Sequence, residues 1–369
     1  MKLQHIGSTF LIALLASFTA AATIPSLIKT GRRKVRDSPR ESVLQLSRGE
    51  QAALPYPPDM LPGGRDMNTP YGSVRVYEWG PVTGHKVLFV HGISTPCPVF
   101  TKVAQSLAEK GCRVMLFDLF GRGYSDAPDP SAYPQDIQLF TSQILLVLSS
   151  SELSWKNFTL IGYSLGGGIA ASFTSYFPNM VENLVLIAPA GLLRPHRISL
   201  TSRIVHNPLF PGVVTKAIVR RRLLASQAEE EIDPGHPALS SDSLALYGDK
   251  PNMSPAKAVA WQVESHPGFL SSFTSSIQNA PVTGENARWH LFGQRLSAQR
   301  AEGKLVNKVL VLLGRDDDII IADEIEEDAI AAFGAENVSI LRLDGGHDVP
   351  IVSASGCVEA IVQLWGSSK

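Results

Sequence analysis

Thr159-Leu160-Ile161-Gly162-Tyr163-Ser164-Leu165-Gly166-Gly167-Gly168-Ile169-Ala170-Ala171-Ser172-Phe173 is the stretch on which the fold turns. Its first half is a short apolar run such as a buried strand makes, and its second half carries small and apolar residues suited to a helix packed against a sheet. Between them stands Gly162-x-Ser164-x-Gly166, which sets a serine where strand gives way to helix. A serine held there in a sharp, strained turn presents its Oγ outward. Glycines two residues to either side let the strand and helix backbones pass where a Cβ would clash. A Gly-rich turn with an incidental serine is the competing reading, and it leaves the strand-to-helix context unexplained.

Outward from this turn, short β-rich runs alternate with longer helical ones. The predicted strands are Ser73–Trp79, Lys86–Val90, Arg113–Phe117, Phe158–Tyr163, Leu184–Ile187, Val309–Leu313 and Val338–Leu343. Most are nearly continuous apolar runs, as buried parallel strands are, whereas Ser73–Trp79 alternates like an edge strand. Helical spacing falls on Phe100–Lys110, Gln135–Ser149, Leu165–Tyr176, Ala322–Phe333 and Val352–Trp365. This rhythm predicts an α/β fold with a mostly parallel central sheet and helices on both faces. Residues 191–303 break it. That stretch is too long for a connection and carries several helix-like patches, so it reads as an inserted helical cap, leaving 72–190 and 304–369 as the core. Residues 37–71, rich in Pro, Gly and polar side chains, read as a linker or surface wrap.

A serine is too weak an acid to attack unaided and needs a base within hydrogen-bond reach, with a carboxylate to orient that base. His347 lies in Leu343-Asp344-Gly345-Gly346-His347-Asp348, directly after the last predicted strand. The other downstream histidines, His196, His206, His236, His266 and His290, fall in the cap or at its exit. A cap holds a base too loosely, so these read as surface or packing residues. For the carboxylate, the strand ending at Gly314 is followed by Asp316, Asp317 and Asp318. Asp317 is the choice, with Asp316 and Asp318 as alternatives.

Taken in order, His91-Gly92 after a strand, Asp118-x-x-Gly121-x-Gly123-x-Ser125-Asp126, Gly162-x-Ser164-x-Gly166, Gly314-x-x-Asp317 and Gly345-Gly346-His347 resemble the α/β-hydrolase superfamily, in the branch with esterases, lipases and valacyclovir-hydrolase-like proteins. The resemblance spans about residues 73–366 and is weakest in the cap. It implies Ser164 as nucleophile, His347 as base and, three residues after the strand-ending glycine, Asp317 as acid. It also implies an oxyanion hole made by the backbone N–H groups of Leu165 and Ile93. His91 then reads as structural, and Asp118, Gly121, Gly123, Ser125 and Asp126 as a turn shaping the pocket floor. Relatives that open epoxides or displace halide carry aspartate at the elbow, whereas this chain has Ser164. The resemblance therefore implies hydrolysis of a carboxylic ester, or related acyl compound, of a lipophilic small molecule through an acyl-enzyme. Apolar cap positions (Leu209, Phe210, Val213, Val214, Leu223, Leu224, Trp261, Phe269, Leu270, Phe273) suit such a partner. Two other classes stay open: a lyase, C–C hydrolase or tailoring cyclase using the same triad, and a non-catalytic binding protein of the same fold. The complete triad argues against the second.

Composition narrows the field further. The chain has 369 residues, 44% of them hydrophobic, and a formal net charge of -1, so it has core to bury but no basic field to gather nucleic acid. The glycines form neither G-x-G-x-x-G nor a P-loop, and the nine histidines form no H-E-x-x-H, so neither a nucleotide nor a metal cofactor is expected. The three cysteines lie far apart and suggest no disulfide framework. Residues 1–36 carry an apolar run, Phe10–Ala22, followed by Lys29, Arg32, Arg33, Lys34 and Arg36. They read as a signal peptide or as a membrane anchor with a basic flank, giving a secreted or single-pass anchored protein of the secretory pathway. A cytosol-facing anchored form and organelle targeting are the alternatives. Asn157, Asn252 and Asn337 stand in N-x-S/T triplets, with Asn252 the first choice for glycosylation and no modification an equal reading.

Overall fold

A computed structural model describes residues 34–197, 205, 212–232, 245–247, 253–302 and 308–366. The apolar N-terminal run, Asn252, Leu209, Phe210, His206 and His236 lie outside the described residues. Among the described residues no helix is long and apolar enough to cross a membrane.

The central sheet has eight strands: β1 Gly64–Thr69, β2 Gly72–Trp79, β3 Lys86–Val90, β4 Arg113–Phe117, β5 Phe158–Tyr163, β6 Val181–Ile187, β7 Lys308–Gly314 and β8 Val338–Leu343. Their order is β8-β7-β6-β5-β3-β4-β2-β1. β2 runs antiparallel to both its neighbours, and every other pairing is parallel. The middle strands are buried on both faces because both faces are covered: Val87 to Val90, Phe158, Leu160, Ile161, Val185 to Ile187 and Val311 to Leu313 have no exposed surface.

Two packed groups of helices do the covering. The first comprises α2 Ile137–Ser149, α3 Leu165–Tyr176, α7 Asn286–Ala301 and α8 Ala322–Phe333, and the second α1 Thr101–Glu109 and α9 Ala354–Gly366. Helix α2 starts where the Asp136 carboxylate accepts the Leu139 N–H at 3.0 Å, satisfying one orphan donor of its first turn. Between β6 and α7 lie α4 Gly212–Ile232, α5 Pro255–Ser265 and α6 Phe269–Asn279, which pack on one another within the stretch read as an inserted cap. Helix α7 falls inside the predicted cap range yet belongs to the first group. Trp289, fully buried, stacks on Phe333 of α8 with ring centroids 5.2 Å apart.

The sheet edge differs from the sequence reading. Ser73–Trp79 was expected at the edge, but β1 pairs outside it. The polar residues that made it look solvated are neutralised across strands: Arg75 pairs with Asp66 at 2.7 Å, and Glu78 with Arg65 at 3.0 Å and Arg113 at 3.1 Å. Ser73, Arg75 and Glu78 are all buried. Ahead of β1, residues 40–44 and 48–52 form short helices, and Tyr56 plugs into the core, its OH donating to Asp118 Oδ2 at 3.0 Å. Residues 35–36 pair with 127–128. All three cysteines are buried and free. Asn337 is buried, and its amide nitrogen donates to Ser297 Oγ at 2.8 Å and to the Phe333 carbonyl at 2.9 Å, so the atom a glycan would join is occupied; Asn157 is exposed.

Candidate active site

Ser164 sits between β5 and α3 with φ 54° and ψ -122°. An L side chain rarely adopts such a backbone, at a cost of about 1–3 kcal/mol. The surroundings over-determine it. The Ser164 N–H donates to the Ile187 carbonyl at 3.0 Å, and the Ser164 carbonyl accepts from Gly167 at 2.9 Å and Ala190 at 2.8 Å. Gly166 lets α3 descend onto β3, since a Cβ there would collide with the Val90 carbonyl oxygen.

The loops after β7 and β8 bring the partners in. His347 Nε2 lies 3.0 Å from Ser164 Oγ, and His347 Nδ1 lies 2.9 Å from Asp317 Oδ2. The carboxylate can only accept from Nδ1–H, so Nε2 keeps its lone pair as an acceptor facing Ser164 Oγ. Asp317 has no exposed side-chain surface and is held by its other oxygen, which accepts from Ile319 N–H at 2.9 Å and Ile320 N–H at 2.8 Å. Asp316 and Asp318 are exposed, Asp318 at the cavity wall. The register follows from Gly314: a Cβ there would strike the Gly346 carbonyl, so only glycine lets the two loops lie together. The chain thus joins residues 164, 317 and 347 into one relay able to deprotonate a hydroxyl and return the proton to a leaving group.

Leu165 N–H belongs to the first turn of α3, where backbone donors have no acceptor within the helix. Ile93 stands beside Ser164 in the same cavity. The peptide carrying its N–H is fixed from behind, because His91 Nδ1 lies 2.8 Å from the Gly92 carbonyl of that peptide, while His91 Nε2 accepts from Leu119 N–H at 2.9 Å. These bonds set the neutral Nδ1–H tautomer, and burial pushes the His91 pKa down to about 3. His91 therefore holds a donor in place and has no free nitrogen with which to act as base.

The cavity over Ser164 has a volume of about 980 Å³. Ile93, Ile137, Leu193, Val219, Leu223 and Phe273 supply apolar wall, and Arg197, Arg222, Glu285 and Arg288 supply charge. Of the cap positions singled out above, Leu223 and Phe273 line the cavity, Trp261 packs on Tyr56 and Tyr124, and Val213 is exposed. The Asp118–Asp126 turn was expected at the pocket floor. It lies one layer behind, where Asp118 accepts from Tyr56, Cys97 and Tyr124, because its carboxylate is fully buried and engaged there. Sequence reading missed two buried side chains, Arg122 and Gln262, that bridge this turn to the cap; the one signal for Arg122 was its place between Gly121 and Gly123.

Of the other downstream histidines, His196 is exposed beside Glu324, and His290 is exposed. His266 is buried, with Nδ1 accepting from Gly268 N–H at 3.0 Å and Nε2 lying 2.9 Å from the Ser125 carbonyl, and burial pushes its pKa down to about 4. A histidine lowered in the folded state contributes stability that is full above its unfolded pKa, near 6.5, and is lost as pH falls below it. His266→Gln, whose amide also donates to Ser125, removes that term. The destabilisation it causes is expected to shrink by about 1.4 kcal/mol per pH unit between roughly pH 6.5 and pH 4.5 in urea unfolding. A pH-independent difference would count against the buried neutral state.

A family model described as the alpha/beta hydrolase fold matches residues 86–352. A serine hydrolase-like protein of Danio rerio is 33% identical over 290 residues, covering 77% of this chain and 82% of the relative. A 2-hydroxymuconate semialdehyde hydrolase of Pseudomonas sp. (strain CF600) is 28% identical over 260 residues, covering 68% and 79%. Among solved structures, a thermophilic esterase from Thermogutta terrifontis superposes with a TM-score of 0.57 at 18% identity, covering 83% of this chain and 98% of that one, a likeness of fold.

Proposed function

We propose, from the premise that the chain belongs to the α/β-hydrolase family and is a hydrolase, that it cleaves a carboxylic ester or related acyl compound of a lipophilic small molecule through an acyl-enzyme. The observation carrying this reading is the unbroken relay from Asp317 through His347 to Ser164 Oγ at the wall of a cavity lined by both apolar and charged side chains. Ser164 Oγ attacks the acyl carbon as its proton passes to His347 Nε2. The carbonyl oxygen, now negative, is held by the N–H groups of Ile93 and Leu165. The imidazolium protonates the departing alkoxide, leaving an acyl-serine. Water then repeats the sequence with His347 as base, releasing the acid. No metal or organic cofactor enters these steps.

Ester substrates of graded acyl length test the reading alongside labelling by a serine-directed phosphonate. Turnover is expected to rise from acetyl to a medium-length acyl chain, since each buried CH₂ contributes about 0.8 kcal/mol. Absence of both labelling and ester turnover would overturn it. A second reading, cleavage of a carbon–carbon bond by the same triad, is favoured by the similarity to the semialdehyde hydrolase. A keto-dienoic substrate split with incorporation of water oxygen would establish it instead.

A further inference from the structure

We propose that Arg122 is a positioning residue that ties the oxyanion loop to the cap, so that the Ile93 N–H reaches its working position only with helix α6 seated. The inference rests on the acyl-transfer reading and on Ile93 as an oxyanion donor.

Arg122 has no exposed surface, and among the described residues no carboxylate pairs with it. Burying a guanidinium without a counter-charge is costly, so its hydrogen bonds must offset the lost hydration. Burial alone pulls its pKa down to about 9. Four of its five N–H donors are nonetheless assigned. Nε donates to the Ile93 carbonyl at 3.2 Å, Nη1 to the Phe120 carbonyl at 2.9 Å and to Gln135 Oε1 at 3.1 Å, and Nη2 to Ser276 Oγ at 2.7 Å. Two of these acceptors lie far away in the chain: Ile93 in the loop after β3, and Ser276 on cap helix α6, 154 positions on.

A second side chain repeats the arrangement from the opposite direction. Gln262, on cap helix α5 and fully buried, donates to the Ser94 carbonyl at 3.0 Å and accepts the Gly123 N–H at 2.8 Å. Consecutive carbonyls of the oxyanion loop, Ile93 and Ser94, are therefore each held by a side chain that spans the turn and the cap. Helix α6 meets this joint with Ser272, Ser275 and Ser276, all buried, where an ordinary core helix would present leucines. Hydrogen bonds, being directional, fix the loop's orientation as apolar packing of this joint would not.

The test uses the full chain and the ester turned over fastest, with a trifluoromethyl ketone whose hemiketal adduct with Ser164 Oγ places an oxyanion in the hole. Arg122→Met is expected to lower kcat about 10- to 100-fold and weaken the inhibitor in parallel, less than the loss of a whole donor, with KM changed no more than about twofold. Its Tm should fall, because Met leaves the Ile93 carbonyl, the buried Phe120 carbonyl and Gln135 Oε1 without their donor. Ser276→Ala, which cuts only the link to the cap, should lower kcat about threefold, a small part of the same effect. Arg122→Lys should recover part of the loss. If Arg122→Met keeps kcat and inhibitor affinity within about twofold, the proposal is overturned. If Arg122→Met does not fold, folded Ser276→Ala and Arg122→Lys proteins with wild-type kcat overturn it equally. A wild-type protein that no phosphonate labels sinks the acyl-transfer reading itself, a result distinct from any of these.

Discussion

Ser164→Ala is expected to lower turnover about 10⁴- to 10⁶-fold and to abolish phosphonate labelling, with Tm nearly unchanged. The size of the loss follows from the relay acting as a unit. Without the Oγ, His347 Nε2 has no proton to take, and what survives is the catalysis due to substrate binding and the two N–H donors. Stability should not move, because alanine meets the same backbone at φ 54° and gives up only one hydrogen bond, to a side chain that is itself partly exposed. The check is labelling, turnover and thermal unfolding on the same preparation. Labelling that persists in a folded Ser164→Ala protein would remove Ser164 from the chemistry.

Asp317→Asn carries the second large effect, about 10⁴-fold in kcat. Its Oδ1 already accepts two backbone N–H groups, from Ile319 and Ile320. In the asparagine variant the amide oxygen keeps that role and the NH₂ turns toward His347 Nδ1. An NH₂ can only donate, so it forces the tautomer with the proton on Nε2, which has no lone pair left for the serine proton. The imidazolium formed during reaction also loses its neighbouring charge. Asp316→Asn and Asp318→Asn should each change kcat by no more than about threefold, since exposed carboxylates contribute under about 1 kcal/mol. Asp318 lines the cavity and is the one of the two in which a KM shift is expected. Equal damage from Asp316→Asn, with Asp317→Asn silent and all variants folded, would move the acid by one residue.

The serine turn was legible because its requirements are local. A strand, a helix and two glycines within five residues leave few alternatives. His347 was legible from chain order and strand position. Asp317 was less so: three adjacent carboxylates look alike in a sequence, and Asp317 is distinguished by burial and by its bonds to Ile319, Ile320 and His347. The place of β2 was misread because Ser73, Arg75 and Glu78 are polar yet buried, their charges cancelled by residues on β1 and β4 that no periodicity reveals. β1 itself escaped because Gly-Arg-Asp-Met-Asn-Thr has almost no apolar signal. Helix α7 was assigned to the cap because whether Trp289 packs on α8 or on cap helices is settled by tertiary contact. Arg122 and Gln262 escaped for the same reason, since the partners that tie each to a distant element lie at Ile93 and Ser276, and at Ser94 and Gly123.

The separation of the relay along the chain has a consequence in time. Ser164 lies near the middle of the sheet, and His347 follows the strand that forms its far edge, 183 positions later. At synthesis rates of about 5–20 residues per second, roughly 10–40 s pass on the ribosome between the two. For most of that interval, once β6 and Ala190 have followed β3, β4 and β5, the strained turn can form, but the serine has no base. On the proposed acyl-transfer reading, the emerging polypeptide is therefore chemically silent toward the acyl groups around it, and Ser164 gains its base only when β7 and β8 close the sheet.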